Sequence, residues 1–305
     1  MLGFVRAFAQ DELLIEMAGE NPDLVVVAQD VGPVGRFAES VPERFFDVGI
    51  SEANLIGVAA GLARAGKLPF VFAMAPFVSM RSFEQIRNDC GYNRSNVKII
   101  APCSGLEGGH WGATHHAVED LALLRMIPGM TVLCPADPDE GTRAVRAAAS
   151  VDGPVYVRFG YIKRIQGYAE DFVIGRAPTL REGSDLTLMA TGASVAQALE
   201  AHELLKQDGI SARVLNMHSI KPIDREAIQK AAEETGRIVT AEEHFVSGGL
   251  GGAVAEIVAE LGTGRLLRLG LKDEFVMDVM PYPAILGPLG LDGPGIAAAA
   301  RSLLG

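Results

Sequence analysis

The sequence predicts an α/β protein in which a parallel-sheet domain is followed by a smaller α/β domain. Short apolar runs alternate with helix-like stretches along the chain of 305 residues, which favours parallel strands covered by helices on both faces. A polar, turn-rich passage near residues 165 to 186 interrupts this alternation. A chain of this length, 49% of it hydrophobic, is long enough for two such domains.

The first half of the chain contains five apolar runs with the composition of buried strands. They cover residues 23 to 30, 70 to 74, 97 to 102, 130 to 135 and 154 to 159. The stretches between them have helical composition, at residues 52 to 65, 82 to 93, 117 to 127 and 139 to 150. This order of strands and helices predicts one mostly parallel sheet.

A second series of strands and helices follows the polar passage. Its predicted strands are residues 186 to 191, 212 to 217, 237 to 242 and 265 to 271, and its predicted helices are 194 to 209, 224 to 236 and 248 to 261. We therefore expect a first domain at residues 1 to 168, a linker at 169 to 185 and a second domain at 186 to 305.

Composition and charge exclude several classes of protein. The net charge of −11 and the absence of a basic block argue against nucleic-acid binding. The three cysteines form neither a CxxC pair nor an even disulfide set. No uncharged apolar run reaches the roughly eighteen residues that span a bilayer, and the N-terminal residues lack a signal core. These features predict a cytoplasmic protein without a membrane role.

One acid occupies an unusual place in the segment DVGISEANLIGVAAGLARAG, residues 47 to 66. Glu52 lies where an apolar run changes into a helix rich in Ala and Gly, so we expect its carboxyl group to be poorly hydrated. Removal from water favours the protonated form of a carboxyl group. Such a group is suited to sharing a proton with a ligand, although an acid at a helix start is also favoured by the helix dipole alone.

Three segments carry a resemblance to a known family. Residues 47 to 54 (DVGISEAN), 112 to 128 (GATHHAVEDLALLRMIP) and 240 to 255 (TAEEHFVSGGLGGAVA) together resemble the C-terminal half of transketolases, in particular the separate C-terminal subunits of split transketolase-like enzymes. The resemblance runs in order over nearly the whole chain. It implies a pyrimidine-binding domain of the thiamine-diphosphate fold, followed by the smaller transketolase C-terminal domain.

The resemblance implies a role for Glu52 in activating thiamine diphosphate. This cofactor reacts after its thiazolium C2 loses a proton to its own 4′-amino group, and a carboxyl group beside N1′ of the aminopyrimidine promotes the required tautomer. We therefore expect Glu52 to contact N1′. The alternative is that Glu52 only begins a helix.

The aminopyrimidine ring also needs an aromatic neighbour, and the segment APFVSMRSFEQIRND supplies candidates. Phe77 and Phe83 stand where relatives carry aromatic residues, and Met80 stands where many transketolases place the stacking ring. Because aromatic residues in such a segment are often part of the core, Phe77 is the favoured contact. The resemblance also implies a cofactor or interface contact for Asp30.

The loop CSGLEGGHWGATHH, residues 103 to 116, carries a second candidate catalytic residue. His115 matches the transketolase histidine that faces the reacting carbons, where an imidazole can exchange protons with a substrate oxygen. His110 belongs to the predicted substrate pocket. His110 and His116 have no second group of ligands at metal spacing, so no metal site is predicted in this chain.

Four positions of the predicted substrate pocket depart from the family pattern. Trp111 replaces an aspartate that holds a donor hydroxyl, and Cys103 replaces a histidine that holds the acceptor phosphate. Val34 and Tyr161 stand at a phosphate-contacting serine and arginine. Because a phosphate dianion prefers cationic partners or a helix N-terminus, these changes predict an acceptor that is not a typical sugar phosphate. Arg36, Arg81 and Arg158 are alternative anion contacts.

The chain lacks the GDG motif with which the family holds its divalent metal and the cofactor diphosphate. We therefore expect a separate N-terminal subunit that holds Mg²⁺ and the diphosphate, with the cofactor between the two chains and an α2β2 heterotetramer as the assembly.

The sequence thus predicts the C-terminal subunit of an enzyme that transfers a two-carbon unit from a ketose or 2-oxo donor to an acceptor. One alternative is the beta subunit of a 2-oxo-acid dehydrogenase, which would pass an acyl group to a lipoyl or carrier-protein thiol. Another is a regulatory subunit that has kept the fold without the activity. The identity of the donor and the acceptor does not follow from the sequence.

Overall fold

A computed structural model describes residues 10–30, 34–166, 168 and 171–305. The strands are β1 (Leu24–Ala28), β2 (Phe45–Asp47), β3 (Leu68–Phe72), β4 (Lys98–Ala101), β5 (Thr131–Leu133), β6 (Val155–Arg158), β7 (Thr179–Arg181), β8 (Leu186–Ala190), β9 (Ala212–Asn216), β10 (Ser219–Lys221), β11 (Arg237–Phe245) and β12 (Arg265–Leu271). They form a seven-stranded sheet with the order β10-β5-β6-β4-β3-β1-β2 and a five-stranded sheet with the order β12-β11-β8-β9-β7.

Helices cover the faces of both sheets. They are α1 (Gln10–Glu20), α2 (Gly35–Ser40), α3 (Glu52–Arg64), α4 (Ala75–Arg81), α5 (Phe83–Gln85), α6 (Asp120–Arg125), α7 (Pro138–Ala149), α8 (Ser194–Gln207), α9 (Arg225–Glu234), α10 (Leu250–Leu261) and α11 (Gly293–Leu304). All pairings within the sheets are parallel except β10 with β5 and β7 with β9. The predicted α/β class with parallel sheets is confirmed.

Local sequence explains where two of the helices begin. The Asp137 carboxylate accepts a hydrogen bond from Glu140 N at 2.7 Å, and Pro138 occupies the first turn of α7. The Asp292 carboxylate accepts one from Gly295 N at 2.9 Å at the start of α11. Each cap satisfies a backbone N–H that has no partner within its helix.

The predicted helix over residues 82 to 93 has a different form in the structure. Only α5 is α-helical, and Ile86–Tyr92 forms wider π-helical turns. Gly91 lies so close to the next segment that an added Cβ would be 2.4 Å from Ile127 Cγ2. The wider turn thus accompanies a close approach between the backbone and a core side chain.

The two halves of the chain pack together closely. One hydrophobic cluster includes Leu55 and Ile99 from the first sheet layer together with Met189 and Val254 from the second. Strand β10 belongs to the second half of the sequence but pairs with β5 of the first sheet. The core is therefore continuous between the two units.

The domain limits that we assign from the sequence remain a prediction. Strand β7 lies within the expected linker 169–185 and pairs with β9 in the second sheet, and residues 169 and 170 lie outside the described residues. No helix in the described part of the chain is both long and apolar enough to cross a bilayer.

Candidate active site

A cavity of about 260 Å³ opens where β1, β3 and β4 end. Parallel strands bring their carboxyl ends to one edge of the sheet, which is where α/β proteins commonly bind ligands. Side chains that follow β1 and β3 line this cavity together with the first residue of α3 and two residues of α4. They include Gln29, Asp30, Glu52, Phe77 and Arg81. Residues far apart in sequence therefore meet at one site.

The Glu52 carboxyl group lies at the wall of the cavity and is 5% exposed. Glu52 is the first residue of α3, so its position follows from the strand-to-helix turn. Its Oε1 accepts hydrogen bonds from Gln29 Nε2 and Arg81 Nη1, each at 3.2 Å. The guanidinium offsets part of the cost of removing this carboxyl group from water. The ion pair with Arg81 is not evident from the sequence.

A series of ring contacts connects this carboxyl group with the loop at residues 103–116. Arg81 Cζ lies 4.2 Å from the centroid of the Phe77 ring. The His115 imidazole makes an edge-on contact with Phe77 at a centroid distance of 5.3 Å, and the Trp111 ring lies 5.4 Å from His115. Glu52 and Phe77 therefore line one cavity. His115 is not among the lining residues but contacts the Phe77 ring.

Asp30 also lies at the cavity, in a backbone conformation that non-glycine residues rarely adopt. Its φ angle is 57°, and its N–H donates to Asp47 Oδ1 at 3.3 Å. Asp and Asn tolerate this left-handed conformation better than other non-glycine residues. Residues 31 to 33 of the segment QDVGPV lie outside the described residues.

Three predicted contact residues lie elsewhere. Val34 is fully buried in a hydrophobic cluster with Phe37, so its side chain does not line the cavity. Phe83 packs against the core, and Met80 is 40% exposed. Neither of these side chains lines the cavity. Among the three candidates for the stacking contact, only Phe77 is at the cavity.

The remaining predicted pocket residues lie along the 103–116 loop and beside it. His110 stacks on Trp111 at a centroid distance of 4.3 Å, and Tyr161 stacks on Tyr282 at 4.6 Å. Cys103 is buried, and burial raises the pKa of its thiol to about 12, with a smaller contribution from the Glu107 carboxylate. A thiol in this state is a poor nucleophile at neutral pH.

The three arginines considered as anion contacts all have acidic partners. Arg36 pairs with Glu12 at 2.6 Å, and Arg81 pairs with Glu52. Arg158 is buried, and its Nε donates to Asp120 Oδ2 at 2.8 Å. These ion pairs compete with any phosphate for the guanidinium groups.

The motif TAEEHFVSGGLGG of the second unit forms structural contacts. Both oxygens of the buried Glu242 carboxyl group accept hydrogen bonds at 2.7 Å, from Leu250 N and Gly251 N at the start of α10. An added Cβ at Gly249 would lie 2.0 Å from Glu242 Oε2, which explains the glycine. His244 Nε2 accepts a hydrogen bond from Ala122 N at 3.2 Å. These side chains join α10 and the start of α6 to β11.

The sequence does not reveal two buried carboxyl groups, that of Glu107 within the 103–116 loop and that of Glu243 in β11. Burial, and secondarily the nearby Glu243 carboxylate, raise the pKa of Glu107 to about 8. Burial also raises the pKa of Glu243. No local sequence pattern marks Glu107 and Glu243, because their proximity depends on contacts between the two halves of the chain.

The raised pKa of Glu107 predicts a loss of stability as pH rises. The folded state holds the Glu107 proton more tightly than the unfolded state, so the stabilisation is complete below the unfolded pKa of 4.5 and disappears as pH rises through about 8. Glu107→Gln removes this titration. We expect the difference in melting temperature, variant minus wild type, to increase from about pH 5 to about pH 8. A constant difference across this range, measured by calorimetry, would refute the assignment.

Comparison with known proteins assigns the family. A model described as the transketolase pyrimidine-binding domain matches residues 6–161, and one described as the transketolase C-terminal domain matches residues 175–296. The chain therefore belongs to the transketolase family. It has the pyrimidine-binding and C-terminal domains that the sequence resemblance predicts, in the arrangement of a separate C-terminal subunit of a split transketolase.

Individual relatives agree with this assignment over nearly their whole length. An apulose-4-phosphate transketolase subunit of Phocaeicola vulgatus is 42% identical over 295 residues, covering 95% of this chain and 94% of the relative. A 6-deoxy-6-sulfo-D-fructose transketolase subunit of a Clostridium species is 42% identical over 269 residues, covering 87% of this chain and 84% of the relative. A solved structure described as a split gene transketolase, inactive beta4 tetramer, is 42% identical with a TM-score of 0.86 and 96% of each chain covered.

Proposed function

We propose that this chain is the C-terminal subunit of a thiamine-diphosphate-dependent enzyme that transfers a two-carbon unit from a ketose or 2-oxo donor to an acceptor. The observation that carries this proposal is the shared cavity of Glu52 and Phe77, with His115 against the Phe77 ring. A transketolase-like transfer also agrees with the family of the chain. The 2-oxo-acid dehydrogenase alternative has no comparable support, because the relatives described above are transketolase subunits.

The cavity fits the aminopyrimidine of the cofactor. Both hydrogen bonds to the Glu52 carboxyl group reach Oε1, so Oε2 accepts none from the described residues and is available to a ring nitrogen. Gln29 Oε1 is buried and has no hydrogen-bond partner in the described part of the chain, so it can accept from a ligand amino group. Phe77 provides an apolar ring surface at the same site.

Thiamine diphosphate, when bound, supplies the carbanion chemistry that breaks and forms the carbon–carbon bonds. The protein residues orient the reactants and handle protons. Glu52 would hold a proton at the pyrimidine nitrogen, and Phe77 would pack against the pyrimidine ring. His115 exchanges a proton with an oxygen of the substrate, and its Nδ1 is oriented by Thr114 Oγ1 at 3.0 Å.

A second chain completes the site in this proposal. The sequence contains no GDG motif, so Mg²⁺ and the cofactor diphosphate are held by a separate N-terminal subunit, and two copies of each chain form a heterotetramer. The acidic composition and the three free, buried cysteines support a cytoplasmic location.

Activity of the reconstituted pair tests this function. The chain is mixed with the GDG-containing subunit, thiamine diphosphate, Mg²⁺, a 2-oxo donor such as hydroxypyruvate and a short aldehyde. We expect a ketose two carbons longer than the aldehyde, with release of the hydroxypyruvate carboxyl group as CO2. A parallel mixture contains an oxidised lipoyl carrier protein in place of the aldehyde, and formation of its acyl thioester would support the dehydrogenase alternative. Cofactor binding without turnover on any donor would support a regulatory subunit.

We further propose that the acceptor is not a typical sugar phosphate. Trp111, which lies in the 103–116 loop, and Tyr161 are partly exposed aromatic residues, and Arg36 and Arg158 are engaged in ion pairs. A phosphate that contacts these rings without a cationic partner would give up part of its hydration with no charge to offset the loss. The two relatives described above have anionic sugars in their names, and the proposal for this chain differs from those names.

The test compares kcat/KM for glyceraldehyde and glyceraldehyde 3-phosphate on one enzyme preparation. We expect about a tenfold preference for the unphosphorylated aldehyde, which corresponds to about 1.4 kcal/mol. A preference for the phosphorylated aldehyde would contradict the proposal. Lys163, whose Nζ lies 5.8 Å from the Tyr161 ring centroid, would then be the first cation to replace with Ala.

A further inference from the structure

The loop that carries His115 is closed at its base by a pair of backbone hydrogen bonds. Gly105 N donates to Ala117 O and Ala117 N donates to Gly105 O, each at 3.0 Å. Between them the loop forms only two short 3₁₀ turns, Gly109–Trp111 and Ala113–His115. Such short turns do not fix a side chain by themselves, so the position of His115 depends on what packs beneath the loop.

Two side chains from the second unit support the loop at this place. Glu243, which lies in β11 and is 4% exposed, accepts a hydrogen bond from Leu106 N on Oε2 at 3.0 Å. Its other oxygen, Oε1, accepts one from Tyr282 Oη at 2.6 Å. The Glu243 carboxyl group thereby joins three separate segments, namely the loop, β11 and the segment that contains Tyr282.

Close backbone contacts show that the loop rests directly on these segments. A Cβ added to Gly105 would lie 2.5 Å from Glu243 Oε2, and one added to Gly109 would lie 2.6 Å from Met280 O. The loop therefore has little space to move toward the second unit while these contacts persist.

Buried Arg158 adds a fixed point on the same side. Its Nη2 donates to Ala117 O at 2.8 Å and to Glu243 O at 2.9 Å. The backbone of Glu243 is thus tied to the base of the loop, and its side chain is tied to Leu106. Tyr282 is the remaining partner, and its ring also stacks on Tyr161.

From these contacts we infer that Glu243 and Tyr282 are positioning residues, which hold the 103–116 loop so that His115 stays against Phe77 at the cavity. Neither side chain lines the cavity, so they act through the loop. This inference rests on the proposed function. It makes the second unit a part of the catalytic arrangement, since a displacement of about 1 Å at a reacting group can cost on the order of a hundredfold in rate.

The test uses Tyr282→Phe in the full chain, reconstituted with the diphosphate-binding subunit. This change removes one hydroxyl group and keeps the ring that stacks on Tyr161. We expect kcat for transfer to fall about tenfold, because a loosened loop misplaces His115. We also expect hydrogen–deuterium exchange at C2 of the bound cofactor to stay at the wild-type rate, because that step depends on Glu52.

Glu242→Gln is the matched control. Glu242 is the neighbouring buried carboxyl group on β11, and it accepts hydrogen bonds from α10 and not from the loop. We expect this variant to lower the melting temperature while kcat remains near the wild-type value.

Three outcomes would overturn the inference. The first is a wild-type kcat for Tyr282→Phe, and the second is an equal decline of kcat and C2 exchange in that variant. The third is a kcat loss in Glu242→Gln that matches the loss in Tyr282→Phe, which would reduce the role of Tyr282 to general stability. An absence of C2 exchange in the wild-type complex would instead refute the proposed function, so the two failures are distinguishable.

Discussion

Replacement of Glu52 by glutamine is expected to slow hydrogen–deuterium exchange at cofactor C2 by two to four orders of magnitude, as a rough estimate for loss of an acid or base group. Glutamine keeps the size of the side chain and an oxygen that can accept from Gln29 and Arg81, so the fold should be preserved. It cannot hold a transferable proton at the pyrimidine nitrogen. The exchange rate is measured by NMR after acid quenching of the reconstituted complex.

Glu84→Gln is the control for this prediction. Glu84 is also an acid near a helix start and is ion-paired, with Arg87 at 3.1 Å, but it is exposed and lies away from the cavity. The control variant should exchange at the wild-type rate. If Glu52→Gln also exchanges at that rate, Glu52 is only an acid at the start of α3.

The purified chain without a partner is expected to bind thiamine diphosphate weakly and to show no transfer activity. The proposed pyrimidine contacts lie in this chain, but its sequence has no GDG motif for the metal and the diphosphate. Losing two charge-assisted hydrogen bonds of about 2 kcal/mol each weakens binding by about a thousandfold. Titration calorimetry with and without Mg²⁺ measures this effect, and tight Mg²⁺-dependent binding by the single chain would contradict it.

The strands of both sheet centres are predictable from the sequence because their residues are buried on both faces. Strands β1, β3 and β8 have five residues each, all of them buried, and each strand lies in an apolar run. Peripheral elements such as β2 and β7 contain exposed residues and are only three residues long, so they have no comparable pattern. The pairing of β10 with β5 depends on the packing of the two units and not on any local sequence feature.

The candidate site is predictable only where a motif marks it. The segments DVGISEAN and GATHHAVED indicate Glu52 and His115, and the structure places both beside Phe77. The contacts that hold these residues in place come from distant parts of the chain. Arg81 donates to Glu52, and Leu106, in the loop that carries His115, donates to Glu243. The core position of Val34 likewise depends on packing, which a comparison of motifs does not describe.

The most direct test of an active site shared between two chains is the rate of C2 exchange in thiamine diphosphate with this chain alone, the GDG-containing subunit alone and the two combined. Because the proposed pyrimidine contacts lie in this chain and the proposed diphosphate contacts in its partner, we expect rapid exchange only in the mixture. We expect Glu52→Gln to slow this exchange by two to four orders of magnitude, as a rough estimate. If C2 exchange with either chain alone is as rapid as in the mixture, the result would contradict a shared site.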